Sequence, residues 1–528
     1  MGDGVWRKPL GREAGAADLM RAGNAWSLDT GRGAALALGA YVLIAFALRI
    51  ALFPAGSQDD SEQLLFAQTL AGGYNPAQPP LYTWLVWGAQ HIFGVGLAAV
   101  LVVKYAAIGL LYFGLWRAAR LALDDARLAA YAALAPLAMY YVAWDALINY
   151  SNTVLMAAFC ATTFWAALAL DRRPTIGSYL GLGVTLGLGF LSKYGFGVFA
   201  GALLVAALAD PVLRRRLADR RILISAVVAL VIMAPHLLWI AEGAREIAAA
   251  LQVRLTSTEP LGYWRGVGVG LVHLLNGIVS FPFPVYLLLP ALFPAACRRL
   301  DWAEPDALRH KRLFERFALA GIAIMVIGVV GFGVSQLRSH YLFIFLPLPI
   351  CFFLRVREAR RMRADAASRG LRWYPRAALV MALFAFAGLA VKFAAEPQWC
   401  KRCYLHMPYA ALAEQVRKTG FAEGTLIEYF ERFQLAGNFR PYFPDSRILS
   451  TKYPYYRPPL RQPGPCLLIW DPAYSETIPD GLRKFAAEAA GVAPGTPYKV
   501  GAVEAPLING AGLTVRLRYA LVTGGACR

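Results

Sequence analysis

The stretch QDDSEQLLFAQTLAGGYNPAQPPLYTWL, just beyond the first long apolar run, places Asp59, Asp60 and Glu62 within four positions. Carboxylates so close to a membrane helix are costly unless they are solvated or used. A positioned carboxylate accepts the proton of a hydroxyl as that oxygen attacks, a contribution of typically about 10²–10⁴-fold. The plain alternative is a hydrated loop in which Asp59 or Asp60, followed by Glu62, caps a short helix. Asp145, in the aromatic and otherwise neutral YYVAWDALINYSN, is a second such carboxylate or the N-cap of the next helix. Lys193, in GLGFLSKYGFG, is a single charge in an apolar hairpin. It either snorkels to the surface or neutralises a bound anion. Arg338 and His340, in SQLRSHYLFIFLPLP, read as interfacial anchors or as phosphate contacts. Arg265, beside Tyr263 and Trp264, is a solvated loop residue or a contact to sugar or phosphate. His236 and His273 fall inside apolar runs and read as hydrogen-bonders within a helix bundle.

The elements that must position these groups are membrane helices. Of 528 residues, 58% are hydrophobic and only 16% charged, against about a quarter charged in a soluble domain. The net charge of +20 is spread as clusters between apolar runs. That is the positive-inside pattern of cytoplasmic loops, not a nucleic-acid-binding face. Apolar runs near Ala34–Phe53, Leu97–Trp116, Leu128–Val142, Tyr150–Leu170, Ile176–Leu191, Phe196–Leu208, Ile222–Ile240, Val267–Pro294, Phe317–Val334, Tyr341–Leu354 and Ala377–Ala395 predict about eleven crossings. The polar SKYG break at Ser192–Gly195 must be a turn, because one helix from Ile176 to Leu208 would be about 50 Å long. Residues 1–33 form a basic leader without a convincing cleavage site. The basic clusters then share its side, so the amino terminus is expected to be cytoplasmic and the carboxyl terminus outside.

The long outer loop at 54–96 contains PPLYTWLVWGAQHIF, an aromatic amphipathic stretch expected to lie in the interface. Beyond the membrane domain at 34–395, residues 396–528 change character. ALAEQVRKTGF predicts a helix; TLIEYF, RILS, CLLIWD and LTVRLRYALV predict strands of an extracytoplasmic α/β domain, interrupted by a Pro-rich loop from Tyr453 to Pro465. Cys400, Cys403, Cys466 and Cys527 lie in this domain and suggest disulfides of undetermined pairing. Cys160, Cys297 and Cys351 read as packing residues. P-loop, GxSxG, HExxH and Rossmann fingerprints in their proper context are absent from the sequence.

The acidic pair opening a short helix, then GGY, then PPLYTWL, resembles the polyprenyl-phosphate-dependent glycosyltransferases of the family 39 type. That family includes protein O-mannosyltransferases and bacterial enzymes adding aminoarabinose or galacturonic acid to lipid A and its core. The resemblance covers roughly residues 34–395 and implies a polytopic α-helical GT-C fold with its site at the outer membrane face. It implies a sugar donor on a polyprenyl monophosphate, with Asp59 as the general base on the acceptor hydroxyl. Asp60 stands where many relatives have Glu and joins Asp59 as a catalytic candidate; Gln78 stands where relatives often have His or Lys. Asp145 matches a second aspartate that, with Glu62, would orient the acceptor or contact a cation. Lys193 matches a lysine facing the lipid phosphate; Arg338, His340 and Arg265 would assist it.

One base and a leaving phosphate imply a one-step displacement with inversion. A monophosphate does not oblige the enzyme to bind a metal, although a divalent ion has room in this scheme. The acceptor implied is a lipid A, core-oligosaccharide or other envelope glycan or lipid, with protein a weaker alternative. A transporter of lipid-linked sugars is the competing class; it predicts mid-membrane charges and repeated halves. An assembly scaffold would tolerate loss of Asp59.

Overall fold

The computed structural model describes residues 30–243, 262–400, 403–430, 435–459 and 464–522, with residues 28, 245, 248 and 527 beside them. Most of the basic leader, and the outer-loop charges Glu246, Arg254 and Glu259, lie outside the described residues.

The membrane region is helical. α1 (Gly31–Leu52), α2 (Gln58–Phe66), α3 (Leu81–Phe93), α4 (Leu97–Leu123), α5 (Ala126–Leu134) and α6 (Ser151–Arg172) build its first half. α7 (Ile176–Ser192), α8 (Phe196–Ala209), α9 (Pro211–Leu217), α10 (Ile222–Glu242), α11 (Tyr263–Ser280), α12 (Val285–Leu292), α13 (Pro305–Phe332), α14 (Pro349–Met362) and α15 (Ser368–Ala395) follow. Among the described residues, six helices are long and apolar enough to cross a membrane, or eight if each of two bent pairs is one span. Several expected crossings are shorter or broken. The run from Leu128 resolves into α5, a 3₁₀ turn at Ala135–Ala138 and a π-turn at Tyr141–Asp145. The run from Val267 breaks between α11 and α12 around Phe281–Pro284. The expected turn at Ser192–Gly195 separates α7 from α8, and the interfacial stretch forms the thirteen-residue α3.

α6 is the central post, buried along most of its length against α4 and α7. Gly114 of α4 permits the first of these contacts, because a Cβ there would press on the Thr162 backbone nitrogen at 2.9 Å. Beyond α15, α16 (Tyr409–Lys418), β1 (Thr425–Glu428), α17 (Leu435–Phe439), β2 (Arg447–Ser450), β3 (Cys466–Trp470), α18 (Asp480–Ala490), β4 (Tyr498–Pro506) and β5 (Thr514–Val522) form an α/β domain. Its strand order is β2-β1-β3-β5-β4; β1 pairs in parallel with β2 and β3, and β5 runs antiparallel to β3 and β4. β3 is buried throughout, as suits a central strand whose apolar residues face both layers. Alternation sends Leu467 and Ile469 to one face and Leu468 and Trp470 to the other. The first of these faces also receives Leu65, Phe66 and Tyr74 from the segment between α1 and α4. Cys400 pairs with Cys403 and Cys466 with Cys527.

Candidate active site

α2 begins where Ser57 turns its hydroxyl onto the Asp60 N–H at 3.3 Å, while the Asp60 carboxylate accepts from the Ser57 N–H at 3.0 Å. The helix cap is therefore Ser57, not Asp59 or Asp60. Asp60, at the third helical position, completes a reciprocal capping box and points inward. It is fully buried between two helices: Lys104 Nζ of α4 stands 2.6 Å from Oδ1 and Arg49 Nη2 of α1 stands 3.3 Å from Oδ2. These cations also donate to backbone, Lys104 to the Ile148 carbonyl at 2.9 Å and Arg49 to those of Phe53 and Ala55 at 2.8 and 3.0 Å. Burial by itself raises the Asp60 carboxyl, but Lys104 and Arg49 outweigh it and hold the group below the usual aspartate range.

Asp59, one residue earlier, is only half-buried. Its Oδ2 accepts from the Ser151 backbone N–H at 3.2 Å. Ser151 opens α6, whose N-cap Tyr150 has a left-handed backbone with φ of 61° and no side-chain cap. A carboxylate from the first turn of α2 thus caps the positive end of the central helix. Ser151 also donates its hydroxyl to Asp60 at 3.4 Å.

Two residues along the same helix, Thr153 Oγ1 accepts from Lys193 Nζ at 2.6 Å. Asp59 and Lys193 are therefore anchored on Ser151 and Thr153, two positions in the first turn of α6 that differ by about 3 Å in rise along the helix axis. Lys193 follows the end of α7 in extended backbone, and its ammonium sits over the Tyr341 ring at 5.3 Å. It stands at one end of an otherwise apolar cavity of about 380 Å³ lined by Ala77, Tyr194, Val198, Ile324, Phe332 and Tyr341.

The other candidates divide. His340 packs its ring at a tilt against Tyr150 and Tyr341, with centroids at 5.0 and 4.7 Å, which brings it to the same helix end. Asp145 ends the π-turn at the N-cap position of a single helical turn, Ala146–Ile148, where its side chain makes no cap bond and accepts from Asn149 at 2.8 Å; the N-cap of α6 is Tyr150. Glu62 sits one turn beyond Asp59, held by Asn75 at 3.5 Å and by the Tyr453 hydroxyl of the C-terminal domain. Arg338 is exposed before the 3₁₀ turn at Ser339–Phe345. Arg265 is exposed in the first turn of α11 and makes no hydrogen bond or ion pair among the described residues. His236, as expected of a bundle hydrogen-bonder, links the Gly72 carbonyl to the Tyr194 hydroxyl at 2.8 and 3.1 Å. His273 meets the Ser335 carbonyl at 2.7 Å.

Lys104 and Arg49 were not among the residues singled out from the sequence. The available signal was a lone cation within an apolar helix, which demands an anionic or carbonyl partner. No group of three or more His, Cys, Asp or Glu side chains suited to a metal occurs among the described residues.

Residues 77–239 match the family described as dolichyl-phosphate-mannose-protein mannosyltransferase. The chain is 31% identical over 457 residues to the lipopolysaccharide core galacturonosyltransferase RgtB of Rhizobium johnstonii, covering 85% of this chain and 89% of that protein. It is 30% identical over 470 residues to the lipopolysaccharide core galacturonosyltransferase RgtA of the same organism, covering 87% and 91%. Among solved structures, ArnT from Cupriavidus metallidurans bound to undecaprenyl phosphate superposes with a TM-score of 0.61 at 14% identity, over 93% of this chain and 98% of that one. That likeness shows a common GT-C fold, and the sequence relationship shows more. The chain belongs to the family 39-type GT-C glycosyltransferases and is a multi-pass membrane enzyme of that family.

Proposed function

We propose that the enzyme moves one sugar, with inversion, from a polyprenyl-phosphate donor to a lipopolysaccharide core, lipid A or similar glycolipid acceptor at the extracytoplasmic face. The observation that carries this reading is the anchoring of Asp59 and Lys193 on one turn of α6, through Ser151 at 3.2 Å and Thr153 at 2.6 Å. Anchors two positions apart at a helix end favourable to anions support one site for a proton acceptor and a phosphate-neutralising cation.

In this mechanism Asp59 takes the acceptor hydroxyl proton as that oxygen bonds to the anomeric carbon. The bond from that carbon to the donor phosphate breaks with its electron pair leaving on the phosphate oxygen. Lys193 stabilises the departing phosphate. The apolar cavity beside it takes the first isoprenoid units. Asp60, with both oxygens engaged by cations, is assigned to positioning Asp59 and not to proton transfer. Asp145 and Glu62 orient the acceptor, while His340, Arg338 and Arg265 add positive charge around the phosphate. Charge neutralisation by these side chains leaves no obligatory place for a divalent metal. The basic loop clusters support a cytoplasmic amino terminus, about eleven crossings and a periplasmic C-terminal domain.

The names of the relatives make galacturonic acid the sugar to test first. Mass spectrometry of envelope glycolipids should show one hexuronic acid lost on deletion, restored by the wild-type protein and not by Asp59→Asn. Transfer undiminished in Asp59→Asn would remove the catalytic assignment. A glycolipid profile indifferent to deletion would favour a transporter or scaffold.

A further inference from the structure

We infer that the C-terminal α/β domain is a positioning element of the transfer site, acting through Asn438 and Gly437 on the helix that carries Asp59. The inference rests on the reading of Asp59 as the base. α2 has nine residues and is polar on average, so it cannot hold its place by helix propensity alone. The C-terminal domain grips it at both ends. Just before the helix, Gly56 exchanges two hydrogen bonds with the Asn438 amide, its N–H donating to Oδ1 at 2.8 Å and its carbonyl accepting from Nδ2 at 3.3 Å. At the far end, Arg440 donates to the Leu64 carbonyl at 2.7 Å and Tyr456 to the Phe66 carbonyl at 2.8 Å. Gln68 then pairs with the Ile448 backbone of β2, donating at 2.9 Å and accepting at 2.9 Å.

Between these clamps the two backbones touch. A Cβ at Gly437 of α17 would overlap the Ser61 carbonyl oxygen, so only glycine lets α17 lie this close to α2. Leu65 and Phe66 complete the contact by entering the core of the α/β domain. Asn438 is 6% exposed and Asp60 fully buried, whereas Asp59 on the same helix stays half-open toward Ser151. The domain thus fixes the direction in which Asp59 points through the helix that carries it. None of these grips involves α7, α8 or the apolar cavity, so donor binding and base placement are separable.

The test uses the full chain in lipid nanodiscs, with polyprenyl-phosphate-linked galacturonic acid and lipopolysaccharide core as substrates and undecaprenyl phosphate as the binding probe. Misplacement of a reacting group by about 1 Å costs up to about 100-fold. Asn438→Ala should lower kcat by about 10- to 100-fold, with the donor KM and undecaprenyl phosphate binding within about two-fold of wild type. Asn438→Asp keeps the oxygen that accepts from Gly56 but sets a second oxygen against the Gly56 carbonyl, and should lower kcat at least as much as Asn438→Ala. Gly437→Ala, the steric counterpart, should resemble Asn438→Ala. An unchanged kcat in Asn438→Ala overturns the inference, as does a kcat loss matched by equal loss of probe binding. Asp59→Asn run in parallel separates the two failures. If it stays active, the assignment of Asp59 has failed and takes this inference with it; if it is dead while Asn438→Ala is fully active, only the positioning role has failed.

Discussion

Lys104→Met removes one of the two cations that make a buried Asp60 tolerable. The Lys104–Asp60 pair is 2.6 Å long with both side chains fully buried, and Arg49, at 3.3 Å, is the one other ion-pair partner of Asp60 among the described residues. Taking one member out of a buried pair costs about 3–5 kcal/mol, because the other charge is left in a poor environment. Losing the bond from Lys104 to the Ile148 carbonyl adds about 1 kcal/mol. Arg49 still pairs with Asp60 in that variant, which keeps the loss toward the lower figure. Adding Asp60→Asn leaves the buried Arg49 without an ion-pair partner among the described residues, so the double variant should be less stable than Lys104→Met alone. The Lys104–Asp60 interaction is lost once in the double variant and not twice, so its loss should fall short of the sum of the single losses, with a coupling approaching about 3 kcal/mol.

The pH dependence has a definite sign. In the fold the Asp60 carboxyl lies below its ordinary range, held there by Lys104 and Arg49 against the effect of burial. Its contribution is fully present above the ordinary aspartate value near about 3.9 and is lost as pH falls through the lower folded value. Lys104→Met lets that value rise, so acid destabilisation should begin at higher pH. The assay is the fraction of purified protein remaining monodisperse after heating, between about pH 2.5 and pH 7, for wild type, both single variants and the double variant. A double variant whose loss equals the sum of the two single losses would refute the coupling on which this account of Asp60 depends.

Lys193→Met should weaken undecaprenyl phosphate binding about ten-fold, equivalent to about 1.4 kcal/mol, and Lys193→Arg should weaken it less; calorimetry or quenching of the cavity's aromatic fluorescence reads both. Exhaustive chelation should leave transfer in purified protein within about two-fold, because charge on the phosphate is met by side chains; activity that disappears and returns with a divalent ion would contradict this. Cys466→Ser with Cys527→Ser opens a link between residues 61 positions apart and should cost about 4 kcal/mol by the chain-entropy model, seen as a lower heating midpoint without a change in the donor KM.

The sequence by itself determined the solvent of each region and the chemistry available to it. Composition marked the membrane domain, the SKYG break marked the turn at Lys193, and the aromatic stretch after Pro80 marked α3. Four of the five strands were legible because buried apolar runs are local signals; β4, Tyr498–Pro506, was missed because most of its residues are not buried and carry no clean alternation. The crossings read as single helices near Leu128 and Val267 were broken by turns that hydropathy averaging does not see. Only the tertiary structure decided what the carboxylates do. Asp60 and Asp59 are chemically alike and adjacent, yet one is sealed between Lys104 and Arg49 while the other reaches Ser151, 92 positions away. Asn438 lies 382 positions from the glycine it holds. Periodicity and composition report what a segment does with its own solvent. Which charge meets which is fixed by the packing of segments that are neighbours only after folding.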